Sequence, residues 1–186
     1  MVGAAPTATN VEPAAVQAMR ARLVGTNINP ETLLATDYLN HFNEIIMMIE
    51  LVPDMPEMLD DAKGWKPLSY TEHFQFSRFT ERELAIEAYA LISENRRQQF
   101  EQSVRQAHGC VADALQQFDQ IAAAGGDDSR RRNLSMETTR TLHRLVDCIN
   151  VIIHGGMVAL DQPDIDGMFQ NASPPQSQSD IDALFD

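Results

Sequence analysis

The sequence predicts an all-α protein: an antiparallel bundle of four to five helices, with a disordered N-terminus and an acidic C-terminal tail. Three observations predict it. Apolar residues recur at steps of three and four across most of residues 11–160, prolines and glycines punctuate those stripes where helices should begin and end, and no stretch shows a comparable strand pattern. A chain of 186 residues, 44% of them hydrophobic, can bury one real core. The expected division is residues 1–10 disordered, 11–160 helical bundle and 161–186 flexible tail.

Residues 1–10 are small and uncharged and offer no periodic apolar face to bury. Glu12 and Pro13 then open a short helix carrying Val16, Met19 and Leu23, which Gly25 can stop. Asn29-Pro30-Glu31 has the make-up of a cap, a first-turn proline and an acidic first turn, which predicts a second helix running to about Leu51. Its inward face is Leu34, Tyr38, Phe42, Ile45, Ile49 and Val52, and Pro53 and Pro56 end it. Residues 53–79, with Trp65 and the aromatic group Tyr70, Phe74, Phe76 and Phe79, read as an irregular connection packed across the bundle. Thr80 and Glu83 form a capping box ahead of Leu84, Ala88 and Leu91. After a bend near Ser93 to Asn95, the series Phe100, Val104, Ala107, Val111, Ala114, Phe118 and Ile121 continues to Gly125-Gly126. Ser135 is expected to start the last helix, with Leu142, Leu145, Ile149, Ile152 and Ile153 inward and Gly155-Gly156 at its end. Sustained spacing of this kind leaves room for a homodimer, because a seam within one chain and a seam between two look alike.

Charge narrows the classes of partner. Asp and Glu outnumber Lys and Arg by 27 to 14, a net charge of -13, which repels phosphate backbones and anionic membrane surfaces, so neither nucleic acid nor membrane is expected. The one dense basic run, Arg130-Arg131-Arg132, reads as a solvated interhelical loop beside Asp127 and Asp128. Cys110 and Cys148 each sit in an apolar helical stretch, which predicts buried free thiols and a reducing, cytoplasmic setting. Met1 to Asn10 lacks the features of a secretory leader.

The tail carries a repeat. Gln162-Pro163-Asp164-Ile165-Asp166-Gly167-Met168-Phe169 aligns with Gln178-Ser179-Asp180-Ile181-Asp182-Ala183-Leu184-Phe185 at an offset of 16. Coiled into a turn or two of helix, Ile165, Met168 and Phe169 of the first copy, and Ile181, Leu184 and Phe185 of the second, would share one face. Asp164, Asp166, Asp180 and Asp182 would then stand in the first turn, where they complement the helix dipole and a basic rim on a partner. This is the pattern of an amphipathic helix laid into a groove, with order acquired on binding. Gln162 and Gln178 complete the set of partner-binding candidates. A tail that only solvates the body has no use for repeated Ile, Met, Leu and Phe; the alternative is an acidic solubilising tail whose second half docks back on its own body.

At Ser177-Gln178-Ser179-Asp180-Ile181-Asp182-Ala183-Leu184-Phe185 the sequence resembles the short segment of the flagellar motor switch protein FliM that binds the activated chemotaxis response regulator. The resemblance implies a receiver domain of the CheY type as the partner. Here Asp180 replaces the family's usual Glu, and the first copy carries Pro163 and Gly167, which ranks it as the weaker site. A helical body followed by such a peptide is also similar in layout to the chemotaxis phosphatase CheZ. The catalytic helix signature of that family is absent, so its activity is not carried over. Gln178 through Leu184-Phe185 further resembles a degenerate sliding-clamp peptide, though the acidic interior fits that use less well.

Enzymatic alternatives rest on scattered polar residues of the body. His41 and Glu44 lie one turn apart, Glu72-His73 falls in the irregular segment, and His143, Asp147 and His154 share a face. A bundle metal site needs such residues to converge from several helices, usually with Glu-x-x-His, which does not occur. Asp113 and Gln117 have the spacing of an acid and amide pair that could orient a water at an acyl phosphate. Met47, Met48, Met55 and Met58 gather near the end of the second helix as core filling or as an adaptable contact surface. No cofactor is expected, and the reading is an adaptor.

Overall fold

The computed structural model describes residues 13–156. Within them lie seven α-helices: α1 (Ala14–Leu23), α2 (Asn40–Leu51), α3 (Met58–Gly64), α4 (Tyr70–Phe76), α5 (Arg82–Tyr89), α6 (Glu94–Ala123) and α7 (Asp128–Ile153), with a 3-10 turn at Thr36–Leu39 ahead of α2. The all-α reading holds. Seven helices replace the expected four to five, because segments too short to show a period still coil once tertiary packing supports them. Among the described residues the sole β-type pairing is a bridge between Ile28 and Ala35. None of the described helices is long and apolar enough to cross a membrane.

The chain opens as expected: Pro13 precedes α1, Met19 and Leu23 are buried, and Gly25 at φ +83° turns the chain out of the helix. Asn29 does not begin the second helix. Its Oδ1 accepts from the backbone N–H of Glu31 at 2.8 Å and of Thr32 at 3.2 Å, and Leu33 N donates to Asn29 O at 2.7 Å, so one turn forms. Leu33 then adopts φ +65° and stops it. Leu33, Leu34 and Ala35 are all buried in the loop that follows. The helix starts at Asn40, yet every residue of the expected inward face from Leu34 to Val52 is buried. Loop, 3-10 turn and helix together bury the stripe that the sequence presents.

Residues 53–79 contain α3 and α4. α4 has a complete capping box, with Glu72 N donating to Ser69 Oγ and Ser69 N donating to Glu72 Oε2. The box expected at Thr80 and Glu83 does not form: α5 starts after Glu81, and no side chain caps it. Between Tyr89 and Glu94 the chain breaks instead of bending, and Ser93 becomes the first cap position of α6.

α6 is 30 residues long, about 45 Å at 1.5 Å per residue. Phe100, Val104, Ala107, Val111, Ala114 and Phe118 make its buried stripe, and Gly125 and Gly126, both at positive φ, reverse the chain. α7 begins at Asp128, not Ser135, since Asp127 Oδ1 accepts from Ser129 N and Arg130 N. The arginine run therefore lies in the first turns of α7 and not in a loop; Arg131 pairs with Asp128, and Arg132 reaches Asp54 at 2.8 Å. Ser135 is buried inside the helix, where its hydroxyl donates to Ile49 O at 2.9 Å and ties α7 to α2. α6 and α7 form the most extensive helix pair of the body; α2 packs on α7, and α3 packs on both α2 and α6. The inward residues of α7 expected from the sequence, Leu142 through Ile153, are all buried.

Both cysteines are free, Cys110 buried and Cys148 half-buried. Burial pushes the Cys110 thiol up to about 11, which keeps it protonated and unreactive near neutrality. The methionines divide: Met48 and Met58 pack on the core, whereas Met47 and Met55 are exposed.

Candidate functional site

The docking residues expected from the sequence, Gln162 to Phe169 and Gln178 to Phe185, lie outside the described residues, as do residues 1–12. The chemistry of the described body is concentrated elsewhere, where five elements bring aromatic rings and three imidazoles together. Tyr38 comes from the 3-10 turn, His41 and Phe42 from α2, Tyr70 and His73 from α4, Tyr89 from α5, and Phe100 and His108 from α6.

His41 is the hub. Trp65 stacks on it with ring centroids 4.4 Å apart, and the His73 and His108 rings each lie 5.9 Å away. The strap between α3 and α4 is clamped onto this hub by backbone bonds: Trp65 Nε1 donates to His41 O at 3.2 Å, Leu68 N donates to His41 Nε2 at 3.1 Å, and Tyr38 OH donates to Leu68 O at 2.7 Å. Accepting from Leu68 requires a lone pair on Nε2, so His41 is neutral with its proton on Nδ1. Burial is the main force holding the His41 pKa down to about 4, and the neighbouring His108 and His73 add to it. Burial also lowers the pKa of His108, whose Nε2 is shielded from water and meets no hydrogen-bond partner.

Beside this cluster a cleft of about 530 Å³ opens between the strap and α6. Its floor is aromatic. Tyr70 and Tyr89 stack at 4.6 Å, and Phe100 meets both edge-on. Its α6 wall is polar: Glu101, Arg105 and His108. Glu101 accepts from Tyr89 OH at 2.9 Å and lies 3.7 Å from Arg105. Tyr70 OH accepts from Ala35 N at 2.8 Å, and burial raises the pKa values of Tyr38, Tyr70 and Tyr89. The hydroxyls are thus committed to structural bonds, and His41 is too poor a base to take a proton near neutrality. Such an arrangement can stack a planar or apolar group and offer it one ion pair; it does not assemble an activated nucleophile.

The other polar sets expected from the sequence do not converge. His41 is buried while Glu44 is exposed, and Asp113, Gln117, Asp147 and His154 are exposed. His143 faces Glu50 on α2 at 3.6 Å instead of Asp147. His73 faces Asp37 at 3.4 Å, and its neighbour Glu72 serves the α4 cap. Among the described residues no three of His, Cys, Asp and Glu come together in an arrangement that could hold a metal ion. Sequence reasoning noted the aromatic run around Trp65 but missed His108, a lone histidine on a long helix whose meaning comes only from what packs opposite it.

Fold and site together define an all-helical body with an aromatic and histidine core, joined to a tail that carries a repeated short motif. The chain matches no protein-family model, no curated protein and no solved structure.

Proposed function

We propose that this protein is a non-enzymatic adaptor that captures a protein partner, a receiver domain of the CheY type, through the tandem motif at residues 162–169 and 178–185. One observation carries the reading: Gln, Asp, Ile, Asp, a large apolar residue and Phe recur in register at an offset of 16. Two copies on one tail raise the local concentration of binding sites for an oligomeric partner, at a separation of roughly 20–30 Å for a semi-flexible spacer with Pro174-Pro175.

The test uses the full chain on a resin and an activated CheY-type receiver domain in solution. Replacing Ile181, Leu184 and Phe185 by Ala should weaken capture by at least about tenfold, because each buried apolar anchor is worth ~1–3 kcal/mol. The same variant should melt like the parent protein. Equal capture by parent and variant would sink the proposal.

A further inference from the structure

α2 and α7 lie side by side and run in opposite directions: the Thr32 hydroxyl, ahead of α2, donates to Ile153 O at the end of α7, and the Ser135 hydroxyl, near the start of α7, donates to Ile49 O. Two ion pairs cross the outer edge of their contact, Asp54 with Arg132 at 2.8 Å and Glu50 with His143 at 3.6 Å. Beside those pairs lies an apolar strip. Met47, Leu51 and Met55 recur at steps of four along α2 and the turn that continues it, in which Met55 N donates to Leu51 O at 2.8 Å. On α7, Met136 stands one turn after Arg132 and two turns before His143. These four are 38–55% exposed, and they make up four of the seven large apolar side chains exposed among the described residues. Three are methionines, whose unbranched, polarisable side chains adapt to a packed partner without a preformed pocket.

Charge is sorted by helix across this strip. The chain has no Lys or Arg between Arg22 and Lys63, so the α2 side exposes Glu44, Glu50 and Asp54 with no base among them. α7 carries five Arg against three acids and exposes Arg132, Arg140 and Arg144. Glu50 and Asp54 are answered within the chain, whereas Glu44, Arg140 and Arg144 make no ion pair or hydrogen bond through their side chains among the described residues. A partner of one sign cannot satisfy both rows, because an acidic segment meets the carboxylates of α2 and a basic one meets the arginines of α7. A surface with the same two rows in swapped positions satisfies both. A second copy of this chain, turned about a two-fold axis that runs along the contact of α2 and α7, presents that order and makes every contact twice.

We infer that the outward face of α2 and α7 is a homodimer interface, with α2 of each chain lying on α7 of the second copy. Rotation about that axis keeps every residue at its own height along the helices. Ser135 is level with Ile49, so Met136 of the second copy arrives between Met47 and Leu51. Five residues further along α7 and five back along α2, Arg140 of the second copy arrives at Glu44, with Arg144 one turn beyond. The interface does not involve the tail motif, and it joins two tails in one assembly.

Sedimentation equilibrium of the full chain at micromolar concentration measures the assembly. The parent protein is expected at twice the chain mass of 20.8 kDa. Glu44→Lys in one variant, and Arg140→Glu with Arg144→Glu in another, set like charges opposite each other and should each weaken dimerisation by about tenfold or more. The three residues are exposed and unpaired, so both variants should fold as the parent does, which circular dichroism checks. Mixing the two variants should restore a dimer with one chain of each kind, because every substituted side chain then faces the opposite charge. A parent that stays at one chain mass would give this face another occupant and overturn the inference. So would a dimer that both variants form as tightly as the parent, or a mixture no better associated than its components.

Discussion

His41 holds the strap over the core as a neutral ring, and the stability of that arrangement should depend on pH. Its folded pKa of about 4 lies below the ordinary 6.5, so the unfolded chain binds the extra proton first as pH falls. Stability is complete above about pH 6.5 and drains away down to about pH 4, by roughly 2 kcal/mol once some water access is allowed for. His108, also lowered by burial, adds to the same slope, while Asp37 sits 3.4 Å from the third imidazole, His73. Urea unfolding at pH 7.5, 6 and 5 should show the decline, and His41→Gln, which can still accept from Leu68 N but does not titrate, should flatten it. A decline of equal size in that variant would contradict the assignment. None of this was legible in the sequence, where His41 is merely an apolar-flanked histidine one turn from Glu44; its neutrality comes first from burial and then from His108 and His73, which only the fold brings beside it.

Among the elements, those with long periodic stripes were legible and those with local punctuation were not. α6 and α7 bury the faces that their spacing marks, because only a helix places such residues on one side. The start of α2 was misplaced because Asn29-Pro30-Glu31 satisfies its own donors in a single turn, and Leu33 then takes a positive φ that no local pattern announces. Start signals compete in the same way elsewhere: Ser69 with Glu72 caps a helix while Thr80 with Glu83 does not. At the head of α7, Asp127→Ala should cost about 1 kcal/mol by removing the acceptor for Ser129 N and Arg130 N. Ser135→Ala should cost about as much again, since it strands no donor but removes the one side-chain bond from α7 to Ile49 O. Chemical denaturation of both single variants measures these costs. Their sum should hold in the double variant if the two sites are independent.

At the scale of the whole molecule, Phe100 joins parts of the chain that are far apart in sequence. Its ring lies 5.5 Å from Tyr38, 5.6 Å from Tyr70 and 6.1 Å from Tyr89, so one residue of α6 touches the 3-10 turn, α4 and α5. Phe100→Ala should cost about 3–5 kcal/mol and lower amide-exchange protection in α2, α4 and α6 together. Loss confined to α6 would mean that the body is less cooperative than its packing implies. Residues 157–186 hold six Asp and no Lys or Arg, so they carry -6 of the -13 and leave the remainder at -7. The motif within them was read from sequence alone, whereas the cleft beside Tyr70 and Tyr89 required the fold, because its walls come from segments that only packing brings together.

The two limits of the described residues, Pro13 and Gly156, lie at one cleft, with a practical consequence for anyone handling this protein. Pro13 lines the same cleft from whose edge Gly156 departs, so a tag or fluorophore fused ahead of α1 would crowd the surface that the tail leaves from. The turn at Gly125-Gly126 is at the opposite end of α6, about 45 Å away along its axis. A reporter inserted there would leave the pole that carries Pro13 and Gly156 clear.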